Sequence, residues 1–330
     1  MKKIFPWQNA VWQSLMARIH DARMPHALLL SGQKGLGKNQ LAELFAKALL
    51  CYEPQPDHTA CGKCSACLLY QAGTHPDFSY VTPLEDSKNI AVDQVREICR
   101  YFTLKSQYGG YKIVIISPAD QMNNAAANSL LKTLEEPAGQ TLLILVTDKP
   151  HALLPTIRSR CQHIKFNVPS RDQALPWLTA QLNGKHEPEH VLSLAQGSPL
   201  LALTFAEQDL IESRQDLLSD LRSLAQGKLD PVSIADKWTK YGIKPVILWL
   251  TSWVSDMVRL KFISHPSLLA NKDITQYLHR FAEHLEVKAL FAFFDQLVQA
   301  LKLADGQANA QMLMEDILID WSRLFERAAN

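Results

Sequence analysis

What this chain lacks narrows it first. Its 330 residues carry 34 Lys+Arg against 33 Asp+Glu, a formal charge of +1, so no global field announces a nucleic-acid or membrane partner. The first 165 residues hold 18 basic against 13 acidic side chains and the rest 16 against 20. That asymmetry is compatible with nucleotide or DNA contact in the first half but too small to argue for it. The opening Met1-Lys-Lys-Ile-Phe-Pro-Trp7 has none of the apolar run, roughly 7–15 residues, that a secretion signal needs. The longest strongly apolar stretch, near Val246 to Val254, is too short to cross a bilayer and soon meets Asp256 and Arg259. Repeats and low-complexity tracts are also missing. A cytoplasmic globular protein is expected, with 47% hydrophobic and 20% charged residues and length enough for two or three domains.

The second lack is chemical. Gly32-Gln-Lys-Gly35-Leu-Gly37-Lys38-Asn39 is a phosphate-binding loop whose last residue is wrong for hydrolysis. Ser or Thr belongs after the lysine, because its hydroxyl ligates the Mg²⁺ that bridges the nucleotide phosphates. The strand Lys112 to Ile116 should end in a carboxylate that holds the same metal. Instead it runs into Ser117-Pro118-Ala119-Asp120, with the acid three residues late. Two independent metal contacts are missing from one nucleotide site. The loop glycines Gly32, Gly35 and Gly37, with Lys38 and Asn39, remain candidates for binding ATP or ADP without hydrolysing it. The alternative is a tight turn without a ligand.

The first 165 residues alternate strand and helix signals, as a parallel α/β sheet requires. Strands are expected at Ala27–Ser31, Phe78–Thr82, Lys112–Ile116 and Thr141–Thr147. Helices are expected at Asn39–Leu50, Val92–Phe102 and Asn123–Glu136, the last stopped by Pro137. After Pro169 helical periods dominate. A small helical unit runs to about 207, followed by amphipathic helices, the clearest with Leu290, Phe294, Leu297 and Leu301 on one face. The expected domains are 1–167, 168–208 and 209–330.

What is present in excess is clustered cysteine. Four of the six cysteines, Cys51, Cys61, Cys64 and Cys67, follow C-x₉-C-x₂-C-x₂-C spacing. In a reducing compartment such a cluster argues for metal rather than disulfides. Four thiolates suit a closed tetrahedral Zn²⁺ site, and a closed shell leaves no position for substrate, so its role is structural. An iron–sulfur cluster is the chemical rival, with nothing nearby that suggests redox work. His58 and His75 flank the site without being needed. Cys99 and Cys161 lie outside the spacing, Cys99 as a packing residue of a helix.

The cluster lies between the P-loop helix and the next strand. Further on come Asn128-Ser-Leu-Leu-Lys-Thr-Leu-Glu-Glu-Pro137 and Thr156-Ile-Arg-Ser-Arg-Cys161. Together these closely resemble bacterial clamp-loader AAA+ subunits, over the whole length of the chain. The resemblance implies an AAA+ α/β domain with a parallel sheet, a small helical lid and an all-α collar that mediates oligomerisation. It implies gamma/tau and delta subunits as partners in a hetero-pentamer, with the sliding clamp and primed DNA reached through the complex. It makes Arg160 an arginine finger that acts in trans on a neighbour's ATP, with Arg158 the less suitable candidate. Motor subunits of the family also place an arginine after Gly-Ser-x in the lid, whereas here Gly197-Ser198-Pro199 precedes Leu200.

Three departures therefore fall on three hydrolytic functions, and the expectation is a non-catalytic subunit of a polymerase holoenzyme without ATPase activity of its own. A gamma/tau-like ATPase is the alternative; Mg²⁺-dependent turnover by the purified chain would favour it. A zinc-dependent DNA-binding module acting alone would show salt-sensitive DNA affinity, which the near-neutral charge opposes. A P-loop kinase is more distant, since it too needs the missing carboxylates.

Overall fold

The computed structural model describes residues 3–21, 23–85, 87–207, 210–262, 269–304, 306 and 308–329. The expected junction at 208/209 lies outside the described residues. The chain divides into two compact units, one of residues 1–177 with 197–201, the other of 178–196 with 202–330.

The first unit is built on five parallel strands: β1 (Ala27–Gly32), β2 (Phe78–Val81), β3 (Lys112–Ile116), β4 (Thr141–Thr147) and β5 (Gln162–Phe166). Their order is β2-β3-β4-β1-β5, parallel throughout. The central runs Leu28-Leu-Leu30, Ile113-Val-Ile-Ile116 and Leu142-Leu-Ile-Leu145 are buried. Both faces of the sheet need such side chains, because helices cover it on each side. On one face Leu28, Leu30, Ile113, Ile115 and Ile144 pack with Trp12, Leu41 and Phe45. On the other Leu29, Val114, Ile116, Leu143 and Leu145 pack with Ile98, Leu130 and Leu134. The helices are α1 (Asn9–His20), α2 (Lys38–Leu50), α3 (Ser65–Gln71), α4 (Val92–Thr103), α5 (Asn124–Glu135) and α6 (Pro155–Arg158). Helix α5 starts where Asn123 accepts a bond from the Ala126 amide at 2.8 Å, a side-chain cap that serves an otherwise orphaned N–H.

The parallel α/β sheet expected from sequence is present. Three elements were not foreseen: α1, α3 and the edge strand β5. The β5 sequence Gln-His-Ile-Lys-Phe alternates polar and apolar, with only Phe166 buried, and so carries too little apolar signal to read as a strand of a buried sheet.

Helices α7 (Arg171–Leu182), α8 (Pro188–Leu194) and α9 (Pro199–Glu207) follow. Then come α10 (Leu210–Ala225), α11 (Pro231–Thr239), α12 (Ile243–Phe262), α13 (Thr275–His284), α14 (Val287–Ala304) and α15 (Ala310–Ala329). The second unit is all-helical, with Trp238, Trp253 and Trp321 among its fully buried side chains. The buried stripe of α14 is Leu290, Phe293, Leu297 and Ala300. Phe294 and Leu301 lie half-buried at its side, so the face is rotated from the one expected. The reason is that Phe293, a third of a turn away, takes the central position against Trp321, at 5.7 Å between rings. No described helix is long and apolar enough to cross a membrane.

A buried polar cluster orders this unit. Asp256 of α12, wholly buried, accepts from the Asn271 amide and side chain, both at 2.8 Å, and from Arg259 at 2.9 Å. The Asn271 side-chain oxygen accepts from Arg214 of α10 at 2.6 Å, and Arg214 also bonds Asp273. Burial pulls the Arg214 guanidinium below its usual range, opposed by Asp273 and Asp256. Each charge has partners, as burial demands.

Candidate functional site

The P-loop sits at the C-terminal end of β1, where the loops after β3 and β4 also converge. A parallel sheet gathers its binding residues at that end. Gly35 and Gly37 hold φ near +82° and +79°, a region that only glycine enters at no steric cost. A Cβ at Gly35 would also fall 2.7 Å from the backbone nitrogen of Leu201, and one at Gly37 would fall 2.6 Å from the Gln8 amide. The loop is thus shaped by close neighbours as well as by its own turns. Leu200 N–H donates to Gly35 O at 3.1 Å. Gln8 Nε2 donates to the carbonyls of Leu36 and Gly37, each at 2.9 Å, and Trp7 Nε1 reaches Leu36 O at 3.1 Å. Beside it Phe5 stacks on Trp7 at 4.8 Å, and Trp177 meets both rings edge-on at 5.4 and 5.3 Å.

Lys38 and Asn39 of the loop bond to partners of the same chain. Lys38 is 4% exposed, and its ammonium pairs with Asp148 at 2.5 Å while donating to Gln33 O at 2.8 Å. Ser117 Oγ donates to Asn39 Oδ1 at 2.7 Å. The two residues that stand where a metal hydroxyl ligand and a metal carboxylate would be needed thus hydrogen-bond each other. Asp120 instead accepts from Thr147 Oγ1 at the end of β4. Asp148, Gln8 and Trp177 escaped the sequence reading. Only Asp148 had a legible signal, as the first residue beyond a strand whose C-terminal end faces the loop.

The cysteines come together. Cys51 caps the C-terminal end of α2, Cys64 precedes α3, Cys67 lies within it, and Cys61 is on the loop between. All four Sγ atoms lie within 4.8 Å of one another, with Cys51–Cys64 at 3.9 Å and Cys61–Cys67 at 4.0 Å. Tetrahedral geometry with metal–sulfur bonds of about 2.3 Å sets S–S edges of about 3.8 Å, so the cage has the size of a metal site. Backbone amides already favour thiolates: Cys61 N–H donates to Cys51 Sγ and Cys64 N–H to Cys61 Sγ, each at 3.3 Å. At Cys64 burial raises the thiol, but amides of Cys67 and Tyr52 and the neighbouring thiols outweigh it and bring it to about 6. Burial pushes Cys67 up to about 12. The donor set fits one four-coordinate ion. Among the described residues no histidine joins the cluster; His75 Nδ1 accepts from the Asp77 amide at 3.1 Å.

Arg160 follows α6 and is about one-third exposed, at 35%. Its Nη2 pairs with Glu135 at 2.7 Å, and its Nη1 donates to Thr156 O at 3.0 Å. Glu135 belongs to the Leu-Glu-Glu-Pro stretch, where sequence gave it no such task. Cys161 next to it is buried, which raises its thiol to about 12. Ser159 Oγ caps Thr156 O at 3.1 Å. The triplet therefore turns the chain with serine, anchors it with cysteine and presents arginine. Arg158 is exposed.

A family model described as DNA polymerase III, delta subunit, matches residues 7–170, and one described as its C-terminal part matches 208–323. The DNA polymerase III subunit delta' of Pseudomonas aeruginosa is 36% identical, with 98% of this chain and 99% of the relative covered. That of Escherichia coli is 31% identical, with 96% and 94% covered. A solved gamma subunit-related protein from Thermotoga maritima is 20% identical with a TM-score of 0.48, covering 95% of this chain and 99% of that one. On the near-complete coverage by curated relatives above 30% identity, the chain belongs to the DNA polymerase III subunit delta' family.

Proposed function

We propose that this chain is a non-catalytic subunit of a clamp-loader complex, which helps to place the sliding clamp on primed DNA during replication. Its relatives' names put it with the replicative polymerase, and the observation that carries the non-catalytic reading is the Ser117–Asn39 bond. A hydroxyl and an amide that satisfy each other offer Mg²⁺ neither a carboxylate nor a free hydroxyl, and metal is what neutralises the charge that develops on the transferred phosphoryl group. Nucleotide without turnover is compatible with the glycines and Lys38. It would require Lys38 to leave Asp148.

Arg160 is the residue with work to do elsewhere. An arginine at a domain edge, braced by Glu135 yet about one-third exposed, can donate a planar pair of bonds to a phosphate across an interface. In this reading it completes the ATP site of a neighbouring gamma/tau subunit, in an assembly that also holds delta. The metal in the cysteine cage is Zn²⁺ and structural, since a closed Cys₄ shell admits no substrate. The compartment is the cytoplasm.

The deciding experiment mixes the chain with gamma/tau and delta, then follows assembly by gel filtration and clamp loading on primed DNA. Arg160→Ala is expected to assemble normally while ATP hydrolysis at the neighbouring site falls by about 10³–10⁵, the range for arginine fingers, seen as slower hydrolysis and loading by the complex. Unaltered hydrolysis and loading would remove the in-trans role. Turnover by the isolated chain that Lys38→Ala abolishes would promote the motor reading instead.

A further inference from the structure

The second unit holds a groove of about 370 Å³ that neither the polymerase relationship nor the residues above account for. It lies between the C-terminal end of α10 and the length of α13, with Phe325 of α15 also lining it. From α13 it takes Tyr277, Arg280, Phe281 and His284, and from α10 Arg222 and Gln226. The spacing i, i+3, i+4, i+7 along α13 places its four residues on one face. Phe281 and Phe325 stand 5.7 Å apart; Phe281 meets Trp321 edge-on at 5.3 Å and Phe325 lies tilted against it at 5.1 Å, so the floor is packed in place. Tyr277 is 41% exposed.

The charge at the rim is one-sided. No Asp or Glu lines the groove. Elsewhere this chain pairs exposed cations with acids one turn away: Arg96 with Asp93, Lys240 with Asp236, Arg323 with Asp320. Arg222 has no acid at any of these spacings. Arg280 has one, Glu283, but that carboxylate is taken by His279 at 3.0 Å. Among the described residues neither arginine has a carboxylate partner, and both line a groove that also holds Tyr277, Phe281 and Phe325.

We propose that this groove binds an acidic peptide segment of a partner protein, with its carboxylates on Arg222 and Arg280 and an aromatic or large aliphatic side chain on Tyr277, Phe281 and Phe325. Guanidinium forks match carboxylates bidentately, and the volume suits one or two side chains. Single-stranded nucleic acid fits less well. It needs a track of cations beside successive stacking platforms, whereas this groove is short and the C-terminal 165 residues carry 20 acidic against 16 basic side chains.

The test is fluorescence anisotropy on the full chain, against an array of labelled hexapeptides bearing two Asp or Glu and one Trp, Phe or Leu. Each is paired with its Asn or Gln counterpart. Acidic members are expected to bind at least about tenfold more tightly than their counterparts, and Arg222→Gln with Arg280→Gln to remove that preference, as loss of charge-assisted bonds predicts. Both arginines are exposed, so the variants should keep the wild-type melting temperature, which is measured alongside. No acidic preference anywhere in the array overturns the proposal, as does a preference that survives the double substitution. A labelled oligo-dT that binds through the same arginines more tightly than every peptide would reassign the groove to nucleic acid.

Discussion

Lys38, the lysine of the phosphate-binding-loop pattern, is held by partners of its own chain. Its ammonium is nearly buried and holds an aspartate and a carbonyl of its own chain. Removing Asp148 would leave that ammonium with one partner, and an under-satisfied buried charge costs about 1–3 kcal/mol. Asp148→Ala is thus expected to lower the stability of the isolated chain by that amount in urea, and Lys38→Met, which removes the charge as well, by less. An Asp148→Ala protein as stable as wild type would make the pair incidental. Arg160 gives the complementary case. Lysine at that position keeps the charge but not the planar fork, so Arg160→Lys should restore little of the ATP hydrolysis that Arg160→Ala removes from the assembled complex.

Among the elements, the α2–α3 segment depends most on something outside ordinary packing. Between Cys51 and Cys67 lies only the short α3 start and a loop with exposed Glu53, Gln55 and Asp57, so metal ligation is what can order it. One Zn²⁺ per chain is expected by elemental analysis, with Cys64→Ser losing it and exposing residues 51–71 to protease. Acidification should release the ion, because ligand thiolates must be deprotonated to bind and protons compete with the metal for them. Retention of the metal in Cys64→Ser would break this account. These cysteines were legible from spacing alone, and so were the apolar strands β1, β3 and β4, since burial on both faces writes a continuous apolar run. Strand β5 and the true face of α14 were not, because an edge strand needs few apolar residues and a helix's rotation is set by a partner distant in sequence. The inward pairs of the P-loop were hidden for a related reason. The missing Ser or Thr could be seen at position 39, but that Asn39 would find Ser117 depends on strand order, which no local pattern states.

At the scale of the molecule, the helical unit is tied together by charges rather than by apolar contact alone. Asp256 joins α12 to the segment that leads into α13, and Asn271 passes the connection to Arg214 of α10. Asp256→Ala is expected to cost about 3–5 kcal/mol, the range for breaking a buried pair from one side, read as a lowered denaturation midpoint with unchanged slope. A loss under about 1 kcal/mol, the level of a surface pair, would show the cluster to be ornamental. The first unit holds a feature with a different kind of consequence, the bond between Asn39 and Ser117. A change at Asn39 alone takes this partner from the buried Ser117 hydroxyl, whereas Asn39 is exposed and can turn to water when Ser117 is changed. The cost of altering the pair therefore falls on one side only: Ser117 is held in place by burial, while position 39 is open to substitution.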